Sequence, residues 1–115
     1  MNSNHPRRVT VPKTLAGQTI RCMNILIDLY RDDHTDPHAS ETIRHLRGQR
    51  EQLASLIATA GDGKLLAPAA LLVHISRHLE AGANRGPAPT ELTLGLRRTA
   101  ARLRLRASSL NRQSS

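Results

Sequence analysis

Six arginines, Arg97, Arg98, Arg102, Arg104, Arg106 and Arg112, crowd into residues 97–112. A guanidinium grips phosphate oxygens and guanine edges through a planar fork of donors, so this spacing favours anion binding over catalysis. With Arg85 they set seven cations against one acid, Glu91, over residues 85–115, which carry +6 of the chain's formal net charge of +8. Arg7, Arg8 and Lys13 add +3 at the other end, and residues 14–84 come to −1. A balanced body with two basic ends is the footprint of a protein that meets a polyanion, and nucleic acid is the commonest one in a cell.

Other chemistry has little support. His34 and His38 are four apart among Asp32, Asp33 and Asp36, and His74 and His78 are four apart on an expected helix. Helical pairs at that spacing can share a metal, but the second pair lacks the glutamate of a metalloprotease motif and no cysteine cluster accompanies either. Cys22 lies in an apolar helical stripe, where a thiol packs rather than attacks. Gly61 to Lys64 lacks the upstream glycine and the following Ser or Thr of a phosphate loop. We therefore expect no catalytic residues, no metal site and no cofactor.

Composition narrows the class further. The chain has 115 residues, room for one domain. Tyr30 is its only aromatic residue, so the core must be aliphatic, which suits helices, and the stacking platforms that hold single strands are missing. Arginine outnumbers lysine 15 to 2, a bias that a GC-rich genome also produces. A lone cysteine permits no internal disulfide and fits a reducing compartment. The longest apolar run, residues 65–73, is about half a membrane span, and no signal peptide is apparent, so the expected place is the cytoplasm, away from membranes.

The elements that must position the arginines follow from periodicity. Residues 1–12, with two prolines and no repeat of apolar residues, read as a disordered basic arm carrying Arg7 and Arg8. Residues 13–83 read as a three-helix core. Ile20, Met23, Leu26, Ile27 and Tyr30 line the first helix, and Asp36-Pro37 signals the start of the second. Its stripe, Ala39, Ile43, Leu46, Leu53, Ile57 and Ala60, is nearly heptad, with Arg50 in the gap. Gly61-Asp62-Gly63 ends it, and residues 65–79 read as a buried third helix closed by Gly82. Residues 84–89 form a Gly/Pro linker. In residues 90–115 Thr90 caps a basic amphipathic helix with a short tail, and Leu92, Leu96, Ala100, Leu103, Ala107 and Leu110 make its stripe.

Within that last segment, Thr99-Ala100-Ala101-Arg102-Leu103 followed by Arg106-Ala107-Ser108-Ser109-Leu110-Asn111-Arg112 resembles the helix-turn-helix of bacterial DNA-binding regulators of the Fis and LysR kind. The resemblance implies that Ala100 lets two helices approach while Arg106, Ser108, Ser109 and Arg112 face DNA. Arg104 stands where those families prefer glycine, and Gln113 where they place an apolar residue. One continuous helix therefore competes with a helix-turn-helix, and with a hairpin built on the alternation of residues 92–96 and 102–106.

The expected fold is all-α: a small bundle of about three core helices plus the basic C-terminal helix. The expected function is non-enzymatic binding of double-stranded nucleic acid, as a bacterial regulator or DNA-accessory protein, through Arg97, Arg98, Arg102, Arg104, Arg106, Arg112, Arg7 and Arg8. The alternative is a module whose basic helix docks on an acidic partner protein. A homodimer could form along Leu94, Ala101 and Leu105 or along the near-heptad helix.

Overall fold

The computed structural model describes residues 7–61, 63–85 and 90–113, with side chains up to residue 108. It is mostly helical, with one two-stranded antiparallel sheet. The order is β1 (Arg8–Pro12), α1 (Lys13–Asp32), α2 (Ala39–Thr59), β2 (Lys64–Pro68), α3 (Ala69–Ala83) and α4 (Glu91–Gln113).

The strands correct the purely helical reading. Where a disordered arm was expected, residues 8–12 form β1, because Val9 and Val11 alternate with Arg8 and Thr10 and so give the strand one buried face. The third helix begins at Ala69 rather than near residue 65, because Lys64–Pro68 pairs with β1. Residues 1–6 of the arm, residues 86–89 of the linker and the tail beyond residue 113 lie outside the described residues.

Each strand ends at a proline that leads directly into a helix. Pro12 (φ −62°, ψ 141°) and Pro68 (φ −59°, ψ 132°) hold the extended conformation before α1 and α3, and their fixed φ suits the turn from strand to helix. The chain is thus a β-α-α unit used twice. A shift of 56 residues carries buried Val9, Val11, Leu15, Ala16 and Met23 onto buried Leu65, Ala67, Leu71, Leu72 and Leu79. In the second helices Leu46 and Leu53 answer to Leu96 and Leu103, all of them buried.

The two units are interlocked about a local two-fold axis. In the ribbon Thr10 lies opposite Leu66, its own equivalent, while Arg8 faces Pro68 and Pro12 faces Lys64. Two further backbone bonds obey the same exchange: Lys13 N–H donates to Gly63 O at 2.8 Å, and Ala69 N–H donates to Arg7 O at 2.7 Å. Gly63, at φ 76°, supplies the left-handed residue that turns the chain into β2. β1 also packs against α4 and β2 against α2, so each unit's strand touches the other unit's second helix. A two-stranded ribbon is marginal by itself, and these helices hold it.

The core runs through all four helices. Met23, Leu26, Leu46, Leu53, Leu72, Ile75, Leu79, Leu96 and Leu103 are fully buried. α4 is therefore part of the core, packed chiefly on α3, and not an appendage to a three-helix body. It is capped by a reciprocal pair: Thr93 N–H donates to Thr90 Oγ1 at 3.2 Å, and Thr90 N–H to Thr93 Oγ1 at 2.8 Å. It then runs unbroken from Glu91 to Gln113, so the backbone makes neither the turn of a helix-turn-helix near Arg104 nor a hairpin. The near-heptad stripe of α2 is spent inside the chain, and Arg50 in its gap donates to Asn24 Oδ1 of α1 at 2.6 Å.

Candidate nucleic-acid interface

Alternation along the ribbon buries Val9, Val11, Leu65 and Ala67 and turns Arg8, Thr10, Lys64 and Leu66 to solvent. Register places Thr10 beside Leu66 at the centre and puts Arg8 and Lys64 at opposite ends. The exposed face is thus a strip with a cation at each end, a hydroxyl and an isobutyl group between them, and no acid. Arg8 and Lys64 are separated by four residues of strand register, about 13 Å.

A cleft of about 520 Å³ opens beside the end of β1. Pro12, Thr14, Leu15 and Gln18 form one wall, and Arg102, Leu105, Arg106 and Ser108 of α4 form the other. Arg102 and Arg106 share a helix face at a spacing of four, and Arg102 donates to Gln18 Oε1 at 3.3 Å. Leu105, 67% exposed, belongs to the apolar line expected to form a dimer seam; here it lines this cleft. On the two-fold-related side a cleft of about 430 Å³ has Pro68 and Leu71 in place of Pro12 and Leu15. Gln52, Ser55 and Leu56 of α2 stand where the first has Arg102, Leu105 and Arg106, and Arg8 and Glu51 also line this cleft.

The arginines singled out from the sequence divide into groups. Arg97 donates to Asn84 Oδ1 at 2.7 Å, and Arg104 forms an ion pair with Glu80 of α3, so both help fasten α4 to the α3 segment. Arg98 is exposed, and Arg102 and Arg106 meet in the basic cleft. Arg7 reaches the ribbon's edge through its carbonyl, and Arg8 lies on the ribbon face. Arg112 is in α4, but its side chain, like those of Ser109 and Leu110, lies outside the described residues.

Sequence reading missed Thr10, Lys64 and Leu66. The signal was present as two short alternations ending in proline, Arg-Val-Thr-Val-Pro and Lys-Leu-Leu-Ala-Pro, 56 residues apart.

Among the described residues no group of three or more His, Cys, Asp or Glu could hold a metal ion. His45 and His78 instead face each other at 6.3 Å between ring centroids. Burial first, then the neighbouring His45 and His74, pushes the His78 imidazole below its usual range. Cys22, half-buried, donates to Thr99 Oγ1 at 3.6 Å and links α1 to α4. No helix among the described residues is long and apolar enough to cross a membrane.

No protein-family model, curated protein or solved structure matches this chain, so the functional reading rests on the geometry alone.

Proposed function

We propose that this protein binds double-stranded DNA without catalysing a reaction, as a regulator or DNA-accessory protein. The observation that carries the reading is the outward ribbon face, Arg8, Thr10, Lys64 and Leu66, free of acids and held on a helical core. The major groove of B-form DNA is wide enough for a two-stranded ribbon, and strand side chains that point outward then reach base edges. Arg8 and Lys64 suit guanine O6 and N7, and their separation covers about four base pairs at 3.4 Å each. Arg98, Arg102 and Arg106 of α4 supply phosphate contacts beside the ribbon, and Arg7 contributes at its edge. The arginines of α4 keep the expected role of meeting phosphates, and base reading is assigned to the ribbon.

A titration of the full chain with a fluorescent duplex, the matching single strand and polyglutamate tests this. With about five or six phosphates neutralised, log affinity for the duplex should fall against log salt with a slope near −5. The single strand should bind more weakly, since no aromatic platform is present. Tighter binding to polyglutamate than to duplex would favour docking on an acidic protein partner instead.

A further inference from the structure

We infer that a single chain reads a non-palindromic duplex site, with a guanine near each end of the ribbon's footprint, a thymine methyl beneath Leu66 and a hydrogen-bonding base edge beneath Thr10. The inference rests on the DNA-binding reading above and deepens it.

Palindromic sites arise when two identical halves of a protein meet identical half-sites across a two-fold axis. Here the axis is internal. The pairing of Thr10 with its own equivalent Leu66, and the exchanged bonds Lys13 to Gly63 and Ala69 to Arg7, place both halves of the ribbon in one polypeptide. No second copy is needed to complete it.

The halves are alike where they are buried and different where they are exposed. Every buried ribbon residue is a small or medium aliphatic in both repeats, Val9 and Leu65, Val11 and Ala67. Outward, Arg8 answers to Lys64 and Thr10 to Leu66. Both cations accept the same partner, guanine, although only the arginine fork can bond O6 and N7 in one plane. At the centre the difference is chemical: Thr10 can donate or accept a hydrogen bond, whereas Leu66, 56% exposed, offers only apolar contact, and in the major groove that means the thymine methyl.

The flanks break the symmetry in the same sense. Beside β1 the cleft presents Arg102 and Arg106, and its two-fold counterpart presents Gln52, Leu56 and the acid Glu51. A duplex lying across the ribbon would be held by cations on one side and met by a carboxylate on the other. The orientation of the protein on DNA is therefore fixed by charge as well as by the ribbon's centre.

The test is selection of randomised duplexes by the full chain, followed by stoichiometry on the selected site. The expected motif is non-palindromic and takes one chain per duplex. Replacing the selected central thymine by uracil removes one methyl and should weaken binding roughly fourfold, the worth of one buried carbon. The same replacement should leave the Leu66→Ser variant, which has no methyl to set against the thymine, unaffected. The Lys64→Arg/Leu66→Thr double variant, whose two outward strand faces match, should select a palindrome over its central base pairs. A palindromic motif for the unaltered protein, two chains per site, or duplex binding with no sequence preference would overturn this inference and leave DNA binding standing. Failure to bind any duplex at low salt would overturn both.

Discussion

Leu26 and Gly82 are equivalent positions in the two β-α-α units, and they meet in the core: a β-carbon on Gly82 would lie 2.1 Å from Leu26 Cδ2 and 3.3 Å from its Cγ. One repeat fills the space near the axis and the other vacates it. A leucine at both positions could not be packed.

Gly82→Ala should therefore gain nothing in stability although alanine is the better helix former. Overpacking a filled core costs about 1–3 kcal/mol, against a helix gain of about 1 kcal/mol, so the net change should lie between about 0 and 2 kcal/mol of loss. In the Leu26→Ala background the same change should cost nothing, because the colliding branch is gone. Urea unfolding of the two single variants and the double variant measures this coupling, and additive losses would contradict the contact.

Arg85 ties the end of α3 to the α1–α2 connection. Its guanidinium lies 4.5 Å from the centre of the Tyr30 ring, forms an ion pair with Asp33, and donates to Asp36 Oδ2 at 2.7 Å. Each contact is partly exposed and modest by itself, but they share one planar cation. Arg85→Ala should cost about 1–2 kcal/mol and Arg85→Lys more than half of that, because an ammonium cannot stack and fork together. Thermal unfolding at low and high salt reads both, with the gap narrowing in salt.

His78 gives stability a pH dependence of known sign. Its folded pKa lies below the unfolded value near 6.5, so between the two the unfolded chain binds the extra proton. Its contribution is complete above about pH 6.5, is lost as pH falls toward the lowered folded pKa, and is flat below that. Unfolding measured from pH 8 down to pH 5 should show this decline. His78→Gln should flatten it, and an unchanged slope in that variant would assign the effect elsewhere.

The helices could be read from the sequence because their signals are local. Thr90 caps α4 as expected, and the apolar stripes name most of the buried residues; α2, however, begins at Ala39 with His38 as its N-cap, and Asp36, expected to cap it, accepts instead from His38 N–H at 2.8 Å in the preceding turn. The ribbon could not be read the same way. A five-residue strand offers two periods of alternation, and Arg8–Pro12 has no partner until Lys64–Pro68 is recognised 56 residues on. Leu65, Leu66 and Ala67 abut the apolar start of α3 and merge with it into one apolar run, so the strand-to-helix change at Pro68 left no mark but the proline. Charge drew attention to α4 as the element that meets nucleic acid. Register and burial turned it toward β1 and β2, since charge density reports where cations are and says nothing of which backbone presents them.

The basic residues should separate by role in salt-dependent binding. Arg98→Ala and Arg102→Ala should each lower the slope of log affinity against log salt by about 0.9 while leaving sequence preference unchanged. Arg104→Ala, whose guanidinium already pairs with Glu80, should change the slope less. Anisotropy titrations between 50 and 200 mM salt, on the order used for such slopes, give both numbers.

The most direct measurement is duplex binding by a chain in which the outward ribbon residues alone are altered: Arg8→Ala, Thr10→Ala, Lys64→Ala and Leu66→Ala together. All four side chains point to solvent, so helical circular dichroism and the unfolding midpoint should stay close to those of the unaltered protein. If the ribbon meets DNA, this variant loses sequence preference and most of its duplex affinity, while the α4 arginines sustain only weak, salt-sensitive binding. Full affinity and unchanged preference in the folded quadruple variant would contradict the account.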